Sequence, residues 1–180
     1  LELYSNALRP QVGCVGAKLI YPNKTIQHAG VVLGISGTAG HSHKYFKEDE
    51  NGNQNRINLI QEVSAVTGAA MAIKKNKFKE IGMFDDEVFK VNFNDVDLCL
   101  RAMNHGWKNI YIPEVLAIHH ESATRRITKG HQSLNSQFEK NSLVKRWGKL
   151  LKNDPFYSPY LTLLEEDFSL SYRNFQTKIR

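Results

Sequence analysis

Long hydrophobic runs are missing from this sequence, and no apolar stretch approaches the roughly 18 residues that a membrane span needs. A soluble domain is expected. Cysteine is scarce: Cys14 and Cys99 stand singly within apolar patterns, with neither a C-x-x-C pair nor the density of a secreted disulfide scaffold. Buried thiols in a reducing, cytoplasmic compartment follow. There is no initiating methionine and no basic-then-apolar leader, and Leu1, Leu3, Tyr4 and Leu8 fall at helical spacing. The chain is therefore expected to begin inside a larger protein. Internal repeats, low-complexity segments, zinc-finger spacing and aromatic-rich RNA-binding signatures are also lacking. The 24 Lys and Arg outnumber the 18 Asp and Glu for a net charge of +6, but they are dispersed along the chain, so nucleic acid is not an expected partner. The same excess would suit nucleotide diphosphates or an anionic lipid surface.

What is present suffices for one core, since 41% of the 180 residues are hydrophobic. Residues 12–19 form a Val-rich apolar run that stops at Tyr21-Pro22-Asn23-Lys24, and residues 25–33 read as a second extended segment. From 34 to 58 the composition turns to Gly, His, Lys, Glu and Asn, which predicts a long mobile excursion over the surface. Residues 61–73 return to small and β-branched types around Gly68. Asn76 is expected to cap a short helix closed by Gly82, and Asn94 or Asp95 to cap the next, with Leu98, Leu100, Met103 and Trp107 inward and Gly106 as its stop. Residues 110–112 and 115–118 follow as strands around Pro113. A last helix over 132–151 carries Leu134, Phe138, Leu143, Val144, Trp147, Leu150 and Leu151 as its apolar stripe. The order is α/β.

Titratable groups concentrate in two places. Asp95 and Asp97 open a helix, where the macrodipole and free N–H groups favour negative charge, and a carboxylate in a cleft can act as general base toward a hydroxyl. Asp97 and Arg101 are spaced for an ion pair, which leaves Asp95 as the freer acid; both can equally serve only as caps. His119 and His120 end an apolar strand, so one imidazole points inward and its neighbour outward. An inward histidine beside carboxylates suits a divalent metal, and it also suits a core.

The runs Val15-Gly16-Ala17-Lys18-Leu19-Ile20-Tyr21-Pro22, Ile26-Gln27-His28-Ala29-Gly30-Val31-Val32, Val66-Thr67-Gly68-Ala69-Ala70, Gly82-Met83-Phe84-Asp85 and Phe93-Asn94-Asp95-Val96-Asp97-Leu98-Cys99-Leu100-Arg101 carry more information together than singly. With Gly106, Tyr111-Ile112-Pro113, His119-His120-Glu121-Ser122 and Asp154-Pro155-Phe156-Tyr157 they form an ordered succession that resembles the family 2 glycosyltransferases over nearly the whole chain. The resemblance implies a GT-A fold, here its C-terminal part, a mixed sheet with flanking helices. On that reading residues 1–33 end a nucleotide-binding half, 34–122 form the acceptor-binding and catalytic half, and 123–180 form a C-terminal helix and tail.

It further implies an inverting transfer from a nucleotide-diphosphate sugar to a glycan or lipid-linked acceptor. Asp95 would be the base, Thr67, Gly68, Asn94 and Asp97 would lie near the sugar or acceptor, and Arg125 and Arg126 would meet the donor diphosphate. His119, with His120 as alternative, would touch a divalent Mn or Mg ion. Asn94 stands where many members have Glu. The family's D-x-D motif falls ahead of the segment resembling residues 12–19, so the donor half is expected upstream and the isolated chain is expected to be inactive. Surface polysaccharide assembly, with peripheral contact at the inner membrane face, completes this reading. A non-catalytic carbohydrate-binding or scaffold module, and a metal-dependent hydrolase using Asp95, Asp97 and His119, stand as alternatives.

Overall fold

The computed structural model describes residues 1–120 and 132–171. In chain order the elements are α1 (Glu2–Ala7), β1 (Val12–Ile20), β2 (Ile26–His28), β3 (Val31–Leu33), β4 (Ala39–His41), β5 (Gln61–Val63), β6 (Met71–Ile73), α2 (Lys75–Glu80), α3 (Asn94–Asn104), β7 (Lys108–Ile118) and α4 (Gln132–Lys152).

All nine residues of β1 are buried, as its apolar, Val-containing run requires of a central strand. β7 lies parallel on one side of it and β5 runs antiparallel beyond β7. The other side is shared: β2 pairs antiparallel with the end of β1 at Leu19 and Ile20, and β6 with Cys14, Val15 and Gly16 near its start. The sheet is therefore mixed. Gly16 permits a close crossing here, because a Cβ on it would lie 2.4 Å from the Cβ of Val66. β3 and β4 form a separate two-stranded sheet.

Pro113 does not split β7 into two strands. The ladder matches Ala17 with Ile112 and then Lys18 with Leu116, so Pro113, Glu114 and Val115 bulge out of register and the strand resumes. The expected extended segment at 25–33 does divide, at Gly30, whose φ of +95° turns the chain from β2 into β3.

The predicted mobile excursion at 34–58 is a correction. It contains β4 and two 3₁₀ segments, buries Ile35, His43 and Ile57, and is bonded to β2 through Ile26 N–H to the Phe46 carbonyl and Tyr45 N–H to the Ile26 carbonyl. Its polar residues satisfy the backbone of a packed loop rather than facing water alone.

α3 buries Leu98 and Leu100 completely, with Met103 and Trp107 packed at the margin of the core. On α4 the stripe is narrower than expected. Leu143, Trp147 and Leu151 are buried, whereas Phe138 and Val144 are about half exposed, and the Leu134 side chain lies outside the described residues. Among the described residues no helix is long and apolar enough to cross a membrane.

Candidate active site

The loop before α3 enters the helix at Phe93 in the left-handed region, with φ +62° and ψ 5°. That turn brings Asn94 and Asp95 to the first helical positions, where backbone N–H groups have no partner within the helix. Asn94 Oδ1 accepts the Asp95 amide at 2.7 Å, and Asp95 Oδ1 accepts the Val96 amide at 2.8 Å. The second Asp95 oxygen accepts the Gly68 amide at 2.8 Å, from the 3₁₀ turn between β5 and β6. Thr67 caps that turn by accepting the Ala69 amide at 3.4 Å.

A cleft of about 500 Å³ opens beside these groups. Asp95, Asn94 and Thr67 line one wall, His119, His120 and Gln27 another, and His41, Lys44 and Glu166 close it. His119 is half-buried and His120 exposed, which is the alternation expected along the end of β7. His119 Nδ1 lies 2.9 Å from Gln27 Oε1. The amide oxygen can only accept, so Nδ1 carries a proton, and in the neutral imidazole the lone pair lies on Nε2.

A divalent ion would find that nitrogen, but little else. Among the described residues no group of three or more His, Cys, Asp or Glu side chains could hold a metal ion. The described residues therefore do not make a complete metal site.

Asp97 does not reach the cleft, and its place among the sugar contacts is corrected. Its side chain is fully buried on the opposite face of α3, where Oδ2 accepts Arg101 Nε at 2.8 Å and Oδ1 accepts Arg146 and Trp147 Nε1, each at 2.9 Å. Arg146 also binds Asp85 at 2.8 Å, and it holds the Asp85 carboxyl below the ordinary range despite partial desolvation. The motif thus divides its two acids between cleft and core. Arg125 and Arg126 lie outside the described residues.

Sequence reasoning did not find three further groups. Glu139 of α4 is buried and accepts the amides of Val91 and Asn92 at 2.8 and 3.1 Å and Asn92 Nδ2 at 2.6 Å, fixing the loop that leads to Phe93. Glu166 accepts the His41 amide at 2.6 Å. His28, wholly buried, places its Nδ1 2.9 Å from His41 Nδ1. The available signal was the Gln27-His28 pair itself: successive residues of one strand send Gln27 to His119 and His28 to the opposite side.

Comparison with known protein families matches residues 2–147 to glycosyltransferase-like family 2. This chain belongs to that family. The glycosyltransferase domain has the mixed α/β architecture of the GT-A type. It is 41% identical over 175 residues to the uncharacterized protein y4gI of Sinorhizobium fredii, covering 94% of this chain and 19% of that protein. It is 36% identical over 171 residues to the O-antigen biosynthesis protein RfbC of Myxococcus xanthus, covering 94% of this chain and 13% of that protein. A shorter match, 30% identical over 60 residues, covers 33% of this chain and 19% of an N-acetylglucosaminyl-diphospho-decaprenol L-rhamnosyltransferase of Mycobacterium tuberculosis. The glycosyltransferase chain thus spans less than a fifth of the length of the first two relatives.

Proposed function

We propose that this glycosyltransferase chain supplies the acceptor side of an inverting transfer from a nucleotide-diphosphate sugar. Asp95 takes the proton of an acceptor hydroxyl as its oxygen forms a bond to the anomeric carbon, while the bond from that carbon to the diphosphate oxygen breaks on the opposite face. The observation that carries this reading is the carboxylate of Asp95 in the wall of the cleft, oriented by the amides of Gly68 and Val96.

Thr67, Gly68 and Asn94 contact the acceptor. Arg125 and Arg126 are assigned to the donor diphosphate on charge alone. Manganese or magnesium enters only through His119, with its remaining ligands supplied by residues beyond those described. The names of two relatives, an O-antigen biosynthesis protein and an N-acetylglucosaminyl-diphospho-decaprenol L-rhamnosyltransferase, favour a role in surface glycan assembly on a glycan or lipid-linked acceptor.

Two measurements test the reading. Proton NMR of the product of the longer parent protein reports the anomeric configuration, and inversion is expected; retention contradicts it. Calorimetric titration of this chain with uridine and thymidine diphosphates, with and without manganese, is expected to show no binding. Manganese-dependent binding that His119→Ala removes would contradict the assignment of the donor site to other residues.

A further inference from the structure

Three polar contacts connect the interior of the sheet to both sides of the cleft. The Thr67 amide points at His28 Nε2 at 3.4 Å, the next amide, of Gly68, holds Asp95, and His28 Nδ1 meets His41 Nδ1 at 2.9 Å. The two imidazoles stand edge to face, at 85° with centroids 5.1 Å apart, and the edge of Tyr111 closes the other side of His28. Burial first, and then the neighbouring His41, hold the His28 pKa well below the ordinary histidine value, so the ring is neutral.

A neutral imidazole has one N–H and one lone pair. Nε2 faces a backbone donor, so it must carry the lone pair, and the proton of His28 is on Nδ1. Among the described residues the group at that nitrogen is His41 Nδ1, which must accept. In its neutral form His41 then carries its own proton on Nε2. Each assignment follows from the one before, beginning at the Thr67 amide.

We propose that His28 is a positioning residue for the cleft: its Nε2 anchors the Thr67–Gly68 turn that orients Asp95, and its Nδ1–H sets the tautomer of His41 on the facing wall. The proposal concerns hydrogen bonds and stands on the geometry. Its consequence for sugar transfer rests on the reading of Asp95 as base.

Side-chain ¹⁵N correlation spectra of the unmodified chain test the tautomers directly. His28 protonated on Nδ1 and His41 on Nε2 are expected; a proton on Nε2 of His28 overturns the proposal. Two substitutions separate the arms. His28→Asn keeps an N–H donor near the Nδ1 position and loses the acceptor for Thr67, so exchange of the Gly68 amide is expected to accelerate about tenfold. His28→Gln keeps an acceptor near the Nε2 position and loses the donor to His41, so Gly68 exchange should stay within about twofold while the His41 spectrum changes. Equal exchange at Gly68 in both variants overturns the proposal. If neither variant folds, the tautomers of the unmodified chain decide it. Transfer by the parent protein that persists in His28→Asn despite faster Gly68 exchange would leave the positioning intact and count against Asp95 as base.

Discussion

The Gly68 amide donates to Asp95 Oδ2 across 2.8 Å, joining a turn before β6 to the first turn of α3 over 27 positions of sequence. The bond needs an N–H at position 68 and nothing from its side chain. Gly68→Pro removes that N–H at the first residue of a 3₁₀ turn, where proline is tolerated, and Thr67 before it is already extended at φ −75° and ψ 142°. Gly68→Ala adds a Cβ only 3.5 Å from that of Asp95, an ordinary contact. In the parent protein, Gly68→Pro, which alone removes the amide that holds Asp95, is expected to lower kcat about tenfold more than Gly68→Ala does. Steady-state kinetics of the pair checks this, and equal effects would contradict it.

Asp97 predicts the opposite behaviour. Removing its carboxylate leaves Trp147 Nε1 and the Arg146 and Arg101 guanidinium groups without their shared acceptor inside the α3–α4 contact. Asp97→Ala is expected to destabilise the fold by about 3–5 kcal/mol, read as a lower urea midpoint with an unchanged slope.

Gly16 is a packing prediction. Gly16→Ala drives a methyl group to 2.4 Å from Val66 Cβ and should cost about 3 kcal/mol by denaturant unfolding. Adding Val66→Ala keeps that Cβ but removes the γ-carbons at 2.7 and 3.1 Å, so it should recover part of the loss, a non-additive result that a double-mutant cycle measures.

Acid should act through His43. Its ring stacks on Phe168 at 4.2 Å and its Nε2 accepts the Asn53 amide, while burial, followed by the charge of Arg56, pushes its pKa down to about 4, against a raising effect of Asp167. The folded state thus resists protonation that the unfolded chain accepts near pH 6.5. The resulting stability is fully present above about pH 6.5 and is lost as pH falls through about 4, amounting to about 2–3 kcal/mol. Urea unfolding at pH 7 and pH 4.5 should show that His43→Gln flattens this part of the pH dependence.

Local pattern made some elements legible in the sequence, and partners far along the chain hid others. The apolar run of β1, the α3 helix with its Gly106 stop and the alternation that sends His119 inward and His120 outward all depend on neighbours in sequence. The Asp97–Arg101 ion pair was legible in their spacing of four, whereas the partners that hold Asp97 in the core, Arg146 and Trp147, lie 49 and 50 residues away. Residues 34–58 read as a surface excursion because their composition is polar, yet the Phe46 carbonyl and the Tyr45 amide join the backbone of β2 and His43 is buried. The His28 to His41 contact crosses from β2 to β4, and neither residue carries a local sign of the other.

The role proposed for Asp95 is to act on the acceptor rather than to support the fold. The measurement that reaches this most directly is sugar transfer by the parent protein carrying Asp95→Asn, with thermal unfolding and donor binding followed in parallel. Transfer is predicted to fall by about 10²–10⁴-fold while donor affinity and the folded state are retained. Full transfer activity in the variant would contradict the account and favour a carbohydrate-binding module in place of a catalytic one.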